Sequence, residues 1–339
     1  MPASRPLMNP EGTLILKRSE VASLLSLGEC IGAVEEAFRL NEEGQSLPPG
    51  VLETLTGGGG FHIKAAGLKH DDRTFYAAKV NANFPQNAGR WGLPTIQGVI
   101  ALCDGESGYP LALLDSIEIT ILRTGAATAV AAKYLARPDS KVATVCGCGV
   151  QGRVQLKSIA QVLRLERVYA YDRDEALSGK FATEMSDELQ IEVIPAGDLS
   201  GALRESDVCV TCTPSRRAFL MREHVRAGAF VAAVGADNPL KQELDPGLLA
   251  SNKVVVDVLE QCAAIGDLHH AIAAGVIAKS DVYAELGAVV AGRTPGRTSG
   301  EEIIIFDSTG TALQDVAAAR VVYEKALKAG VGYRLDLAG

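Results

Sequence analysis

A glycine-rich loop between a short apolar run and a helical pattern constrains this chain more than any other feature. Gly147, Gly149 and Gly152 have the spacing G-x-G-x-x-G. In such a strand–turn–helix unit the first glycine permits the tight turn, the second lets backbone approach a pyrophosphate, and the third lets the helix pack closely on the sheet. Val150 and Gln151 begin the helix, whose free N–H groups and dipole favour an anion. The segment therefore predicts a dinucleotide-binding site.

The next apolar run ends at an acid, Asp172, twenty residues after Gly152. A carboxylate at that position can accept hydrogen bonds from both ribose hydroxyls and would repel a 2′-phosphate, which favours NAD over NADP. Arg173 follows directly and could instead bind a 2′-phosphate, so NADP stays possible. The alternative for Arg173 is an ordinary solvated arginine.

The composition is that of a globular chain without a basic surface. Its 339 residues are 47% hydrophobic and carry a net charge of −8, with an isoelectric point near 5.3. This balance argues against a nucleic-acid partner, because phosphate binding needs a basic face. No apolar stretch reaches membrane-spanning length, and residues 1–13 do not resemble a signal peptide. We therefore expect a soluble cytoplasmic protein with no membrane partner.

The seven cysteines are scattered, mostly within apolar runs. This distribution predicts reduced thiols, and the absence of a second cysteine or histidine pair beside Cys209 and Cys212 predicts no metal site. Cys148 is a separate case, since a thiol beside a helix N-terminus can have thiolate character.

After the glycine loop, strand and helix patterns alternate. Strands are predicted at 191–195, 208–213, 229–236 and 253–259, with helices at 198–207 and 219–228. The strands are apolar without alternation, as expected where helices cover both faces of a parallel sheet. This part of the chain is therefore predicted to be a Rossmann domain with a doubly wound parallel sheet.

The first 120 residues have a different pattern. Short strand-like segments separated by Gly, Pro and Asn favour an antiparallel sheet, with a hairpin turn at 57–60. Helices are predicted at 19–44, where Ser19 would be the cap, and at 117–137, between the two parts of the chain.

These patterns together predict an α/β protein of two domains. The Rossmann domain is expected over 123–305, and a discontinuous α+β substrate-binding and dimerisation domain over 1–122 and 306–339. In this scheme the C-terminal segment belongs to the same domain as the first part of the chain, which makes the substrate-binding domain discontinuous.

Six segments, in this order, resemble one family: TFYAAKVNANFPQN, GLPTIQGVIALCDGESGYPLALLD, ITILRTGAATAVAAKYLAR, VCGCGVQGR, VGADNPLKQELD and FDSTGTALQDVAAA. The resemblance is to the ornithine cyclodeaminase and mu-crystallin family, which also contains archaeal-type alanine dehydrogenases and cyclic-imine reductases. It implies a homodimer, NAD(H) or NADP(H) in the Rossmann domain, and a small amino or imino acid in the cleft between the domains.

The resemblance also implies roles for particular residues. Lys79 and Arg123 match positions that bind the substrate carboxylate, for which a guanidinium fork and an ammonium are chemically suited. Asp237 matches the catalytic acid that exchanges a proton with the substrate nitrogen, and Lys79 is a second candidate proton source. The alternatives are a domain-bridging salt bridge for Arg123, an exposed strand-edge lysine for Lys79 and a turn or cap residue for Asp237.

Other matched positions are expected to lie at the cofactor: Thr124, Thr213 and Ser308. The sequence also departs from the family. The segment SLPPGVLETL lacks an arginine that many members use as a second carboxylate clamp, and His62 and Lys64 lie where ornithine-cyclising members tend to have a glutamate. Lys64 could replace the missing positive charge or form a structural ion pair, and Asn81 is expected to line the same pocket.

On these grounds we predict NAD(P)-dependent interconversion of an α-imino and an α-amino acid, with a cyclic imine of the pyrroline-2-carboxylate type as substrate. The runner-up is ornithine cyclodeamination, although a missing acid for the second ammonium weakens it. Two further alternatives are an alanine-dehydrogenase-like enzyme and a non-catalytic mu-crystallin-like binding protein.

Overall fold

The computed structural model describes residues 12–337, which form two large sheets, a two-stranded sheet and twelve helices. The strands are β1 Thr13–Leu16, β2 Ser46–Thr56, β3 Gly59–His70, β4 Arg73–Asn83, β5 Ile96–Asp104, β6 Pro110–Asp115, β7 Val142–Cys146, β8 Arg167–Tyr171, β9 Glu192–Pro195, β10 Val208–Thr211, β11 Arg216–Leu220, β12 Phe230–Ala233, β13 Gln242–Leu244, β14 Lys253–Val256, β15 Ala284–Glu285, β16 Ile304–Asp307 and β17 Tyr333–Leu335. The helices are α1 Arg18–Leu24, α2 Leu27–Glu42, α3 Asn87–Trp91, α4 Ile117–Leu135, α5 Val150–Ala160, α6 Glu175–Leu189, α7 Leu199–Glu205, α8 Pro246–Ala250, α9 Leu259–Ile265, α10 Asp267–Ala273, α11 Leu286–Val290 and α12 Ala312–Ala329.

The first sheet has seven strands in the order β17-β1-β6-β5-β4-β3-β2. Its strand pairs are antiparallel except for β1 with β6, which is parallel. The predicted antiparallel sheet is therefore confirmed with one exception. Thr56 pairs with Gly59 across the predicted hairpin turn. Helices α2, α4 and α12 pack on one another, and α12 also packs against β3 and β4. The C-terminal helix thus covers one face of the antiparallel sheet.

The second sheet has eight strands in the order β15-β14-β16-β12-β10-β7-β8-β9, and all of its pairs are parallel. This confirms the predicted doubly wound sheet. Its central strands β10, β12 and β16 are buried along their whole length, and Phe230 and Phe306 are among the largest fully buried side chains. Because the strands are parallel, their carboxyl ends meet at a single edge, where ligands of open α/β sheets bind.

Two helix predictions were wrong. The segment 19–44 is divided into α1 and α2, and Ser26 rather than Ser19 is a cap, since its extended backbone lets its hydroxyl accept from Glu29 N. The segment 219–228 contains no α-helix: β11 pairs with β13, and a 3₁₀ turn, Arg222–His224, follows. Pairing with a distant strand outweighed the local helical pattern there.

The division into two domains stays a proposal. β16 pairs with β12 and β14 in the parallel sheet, so the expected boundary at residue 306 falls inside a strand, and a boundary after Asp307 agrees better with this topology. Residues 1–11 and 338–339 lie outside the described part, and with them most of the segment judged not to be a signal peptide. Among the described helices, none combines the length and apolarity needed to cross a bilayer.

Candidate active site

A cleft of about 670 Å³ opens at the carboxyl edge of the parallel sheet. Its lining comes from the glycine loop, the end of β8 and the segment after β10, and consists of Gly147, Tyr171, Asp172, Arg173, Thr213, Pro214, Ser215, Arg216, Arg217 and Phe219. Four residues expected at the cofactor, Gly147, Asp172, Arg173 and Thr213, therefore share one cleft.

The glycine loop has the geometry that a dinucleotide requires. Gly147 has φ +105°, a conformation that favours glycine, and α5 begins directly after Gly149. A Cβ on Gly152 would lie 1.9 Å from the Gly147 carbonyl oxygen, whereas nothing lies within 4 Å of a Cβ on Gly149. Gly152 therefore allows the helix to pack against the loop, and Gly149 leaves open space at the helix N-terminus. This arrangement fits a pyrophosphate.

Asp172 braces the same loop. Its Oδ2 accepts from Cys148 N at 2.8 Å, and its Oδ1 accepts from Asp174 N at 3.1 Å. The suggestion that Cys148 has thiolate character was wrong, because burial and the nearby Asp172 carboxylate raise the pKa of the Cys148 thiol to about 12. Cys148 is thus a packing residue beneath the loop.

Glu243, a buried acid that sequence reasoning missed, fixes the backbone and side chains at the cofactor side of the site. Glu243 Oε1 accepts from Thr213 N at 2.6 Å and from Thr213 Oγ1 at 2.7 Å, while Oε2 accepts from Thr211 Oγ1 at 2.7 Å and Gly235 N at 2.9 Å. Burial and the neighbouring Asp267 raise the pKa of Glu243 to about 7. One carboxyl group therefore joins the segments that follow β10 and β12.

A second cavity, of about 130 Å³, lies between the sheets. It is lined by His62, Lys64, Lys79, Asn81, Ala82, Asn83, Ile96, Thr120, Arg123, Asp237 and Asn238. All six residues expected to bind or convert the substrate line this cavity. Among these six, the residue nearest to Asp237 in the sequence is Arg123, which is more than a hundred positions away.

The floor of this cavity is a strip of cross-strand pairs on one face of β3 and β4. Lys64 is opposite Lys79, and His62 is opposite Asn81. Because side chains alternate along a strand, these four point to the same side. Asn81 is held in place: Ser116 Oγ donates to its Oδ1 at 2.6 Å, and its Nδ2 lies 3.4 Å from Thr120 Oγ1.

Lys79 and Arg123 meet at a buried carboxylate of α12, Asp315. Lys79 Nζ is 2.8 Å from Asp315 Oδ2, and Arg123 Nε is 3.1 Å from Oδ1. Arg123 Nη1 also donates to Gln314 Oε1 at 2.8 Å. Burial and the Arg123 charge lower the pKa of Lys79 to about 7, despite the opposing effect of Asp315. Burial alone raises the pKa of Asp315, but Lys79 and Arg123 hold it below its ordinary value.

Lys64 has a different environment, because it makes no ion pair among the described residues. Its Nζ donates to the backbone carbonyls of Thr309 at 3.0 Å and Gly310 at 2.8 Å. Burial, followed by the Arg123 charge, lowers the pKa of Lys64. The predicted alternative of a structural ion pair is therefore wrong for Lys64, and one cation of the cavity lacks a counter-ion within the described chain.

Asp237 lies at the rim of the cavity, in the loop that follows β12. Its side chain is 53% exposed and pairs with Lys241, whose Nζ is 2.8 Å from Oδ1. Partial burial raises the pKa of Asp237, but Lys241 outweighs that effect and the pKa lies below its ordinary value. In the free protein Asp237 is therefore a carboxylate that can accept a proton.

The remaining expected positions do not line either cavity. Thr124 Oγ1 donates to Thr120 O at 2.7 Å within α4, and Ser308 Oγ donates to the buried Asp257 at 3.0 Å. Val150 is exposed at the start of α5, and Gln151 Oε1 is buried without a hydrogen-bond partner among the described residues. Their proposed contacts with a cofactor stay predictions.

Sequence reasoning named the candidate site residues but missed their partners: Asp315 for Lys79 and Arg123, Lys241 for Asp237, and Glu243 for Thr213. A signal existed for Asp315, because GTALQDVAAA places one acid in an otherwise apolar helical stretch. An acid in such a position is rarely buried without a charged partner.

Comparison with known proteins identifies the relatives of this chain. The model of the Ornithine cyclodeaminase/mu-crystallin family matches residues 11–330. Alanine dehydrogenase of Archaeoglobus fulgidus is 44% identical over 330 residues, which are 95% of this chain and 98% of that protein. A solved archaeal alanine dehydrogenase dimer with bound NAD has a TM-score of 0.91 at 42% identity and covers 96% of this chain and 99% of its own.

A further relative is Thermococcus litoralis Delta(1)-pyrroline-2-carboxylate reductase, solved with NADH and L-proline. It has a TM-score of 0.90 at 36% identity, over 95% of this chain and 100% of that chain. Both solved relatives span both sheets of the fold, so the similarity is not confined to the nucleotide-binding part. This chain belongs to the ornithine cyclodeaminase/mu-crystallin family.

Proposed function

We propose that this protein is an NAD-dependent oxidoreductase that interconverts a small α-imino acid and the corresponding α-amino acid, with pyrroline-2-carboxylate and L-proline as the first candidate pair. One observation carries the proposal: Lys64, Lys79, Arg123 and Asp237 line one small cavity beside the carboxyl edge of the parallel sheet. The three cations are suited to bind the carboxylate of a substrate. The Asp237 carboxylate is suited to exchange a proton with the substrate nitrogen.

In the proposed mechanism the α-carboxylate lies at the deep end of the cavity. Lys64 has no counter-ion among residues 12–337, and Arg123 and Lys79 share one carboxylate between two positive charges. A bound carboxylate would compensate this excess charge, which the low dielectric of a buried site makes costly when it is unbalanced. The clamp thereby orients the α-carbon and the nitrogen toward the sheet edge.

Proton exchange is assigned to Asp237. Its carboxylate at the cavity rim would accept a proton from the amino group in one direction and return it to the nitrogen in the other. Lys79, with a pKa of about 7, is the second candidate for this role. Bound NAD(H) would supply the hydride acceptor or donor, held by the glycine loop and Asp172, with Thr213 positioned by Glu243.

The size and charge of the cavity favour a small substrate without a side-chain ammonium. Its volume of about 130 Å³ is much smaller than the 670 Å³ of the cleft at the glycine loop. Asp237 is the one carboxylate among the described lining residues, and the α-nitrogen of the substrate would already occupy it. The three cations of the cavity would repel a second ammonium group. These features argue against ornithine cyclodeamination, the alternative prediction.

Alanine is a second candidate product, formed by reductive amination of pyruvate. The observation that favours it is the 44% identity to the Archaeoglobus fulgidus alanine dehydrogenase. A non-catalytic binding protein is less well supported, because Lys79, Arg123 and Asp237, the residues expected for turnover, line one cavity.

We also propose that the protein forms a homodimer through the face of the antiparallel sheet opposite α12. Leu52, Ile63, Val80 and Val99 are directly paired neighbours across β2, β3, β4 and β5, on the face opposite Lys64 and Lys79. Leu52 is 58% exposed and Val99 is 51% exposed. A continuous apolar row of this kind marks an interaction surface, and the solved archaeal relative is described as a dimer.

The test is a substrate panel for the purified protein. NADH oxidation is measured with pyrroline-2-carboxylate and with pyruvate plus ammonia, and ammonia release is measured from L-ornithine with NAD⁺. Turnover of pyrroline-2-carboxylate is the expected result, with NADH used better than NADPH because of Asp172. Turnover confined to pyruvate and ammonia would assign an alanine dehydrogenase. Ammonia and proline from ornithine without net NADH change would assign a cyclodeaminase and contradict the charge argument.

A further inference from the structure

Asp237 and Lys241 belong to the loop between β12 and β13, and they form a close ion pair within it. Lys241 Nζ donates to Asp237 Oδ1 at 2.8 Å, and Asn238 Nδ2 lies 3.3 Å from the same oxygen. Asp237 Oδ2 has no partner among the described residues. One oxygen of the carboxylate is therefore held from behind, and the other is free at the rim of the substrate cavity.

The loop is anchored so that the position of Lys241 is defined. His270 Nε2 lies 2.7 Å from the carbonyl oxygen of Lys241, and Gly235 N donates to Glu243 Oε2 at 2.9 Å. Both contacts use backbone atoms of the loop, so a change of the Lys241 side chain leaves them in place. The Lys241 ammonium can thus be removed without removing the anchors.

Other charged groups face Asp237 from β3, β4 and α4. Lys64 and His62 act on it through space, but Lys64 is engaged by two carbonyls and His62 lies 3.6 Å from Glu53. Lys79 and Arg123 in turn are paired with Asp315. Among the described cations, Lys241 is accordingly the one in direct contact with Asp237.

We propose that Lys241 is a positioning residue that keeps Asp237 ionised and turns its free Oδ2 toward the substrate nitrogen. This inference rests on the proposed function. In the oxidative direction an N–H bond of the substrate ammonium breaks, its electron pair stays on nitrogen, and the proton forms an O–H bond at Oδ2. An ionised carboxylate is required for that step, and an adjacent ammonium favours it.

The first test does not depend on turnover. The protein is labelled with ¹³C at aspartate Cγ, and the Asp237 signal is assigned by its loss in Asp237→Asn and titrated by NMR. In Lys241→Met, we expect the Asp237 pKa to rise by about one pH unit, because an opposite charge within hydrogen-bond distance is lost. Lys241→Arg should restore it. Lys279→Met, which removes an exposed ion pair to Glu260, should leave it unchanged.

The second test measures kcat/KM against pH for oxidation of L-proline and of L-alanine by NAD⁺. In Lys241→Met the acidic limb of the pH profile should move to higher pH by the same amount as the Asp237 pKa. In Lys241→Arg it should return to the position found for the unmodified protein. An unchanged Asp237 titration in Lys241→Met would overturn the proposal, as would a shifted titration with an unmoved acidic limb. A wild-type protein inactive on the whole panel would instead refute the proposed function, while the NMR titration would still report on the ion pair.

Discussion

Asp237 combines partial exposure, a lysine partner and a place at the cavity rim, and the proposed proton-transfer role is based on these properties. We expect Asp237→Asn to lower turnover by roughly 10²–10⁴, the range typical for loss of a general acid–base group. Asparagine suits the same turn chemistry, so the fold and NADH affinity should be retained. Steady-state kinetics with fluorescence titration of NADH check both. Near-normal turnover would assign Asp237 to the turn and leave Lys79 as proton source.

Arg123 is predicted to clamp the substrate carboxylate while paired with Asp315. Arg123→Lys preserves a charge opposite Asp315, so the buried acid keeps a partner, but it removes the guanidinium fork. We expect KM for the imino acid to rise at least about tenfold, equivalent to about 1.4 kcal/mol, with unchanged NADH affinity. Initial-rate measurements at saturating NADH test this. An unchanged KM would show that Arg123 supports Asp315 without touching the substrate.

At the scale of elements, the glycine loop and α5 offer a matched comparison of two glycines. A Cβ on Gly152 would collide with the Gly147 carbonyl, whereas one on Gly149 meets nothing within 4 Å. Gly152→Ala should therefore destabilise the protein by about 1–3 kcal/mol and abolish NADH binding. Gly149→Ala should retain the melting temperature but weaken NADH binding, because the added methyl occupies the space predicted for the pyrophosphate.

The control for both is Gly179→Ala within α6, where a Cβ also meets nothing within 4 Å. This change should raise stability by up to about 1 kcal/mol through helix propensity and leave NADH binding intact. Thermal unfolding and isothermal titration with NADH distinguish the three variants. Equal NADH affinity in Gly149→Ala and the parent protein would place the dinucleotide elsewhere in the cleft.

At the scale of the whole molecule, buried acids beneath the parallel sheet make stability depend on pH. Burial and Asp267 raise the pKa of Glu243 to about 7, and burial raises that of Asp267 to about 6. The folded protein therefore holds more protons than the unfolded chain between about pH 4 and pH 7, and its stability falls as pH rises through that interval. Lys325 lowers the pKa of Glu29 to about 2, so the stability contributed by Glu29 is lost only when the pH falls below this interval.

We expect Asp267→Asn to flatten the decline in melting temperature between pH 5 and pH 8. Asp267 Oδ1 accepts from Glu243 N and Leu244 N, and an asparagine oxygen can do the same. Asp267 Oδ2 has no hydrogen-bond partner among the described residues, so the amide nitrogen displaces no contact there. Differential scanning calorimetry across this range is the measurement. Glu223→Gln, at an exposed acid, serves as control, and an equally steep decline in Asp267→Asn would refute the assignment.

Local patterns were sufficient for much of the fold. The glycine spacing and apolar strands predicted the Rossmann sheet because the turn, the helix start and the strand burial depend on residues close together in the chain. Local signals failed where two of them competed, as with the caps Ser19 and Ser26, or where a distant partner decided the outcome, as with β11 and β13.

The sequence by itself determined the chemical inventory of the site: a dinucleotide loop, an acid after β8, three cations and Asp237, each in a recognisable local context. Only the tertiary structure decided the state of those groups. Lys79 meets Asp315 across 236 positions, Lys64 finds two carbonyls, and Cys148 is buried as a thiol. Charge and pKa depend on distances between remote segments and on exclusion of water, and neither exists until the chain has folded.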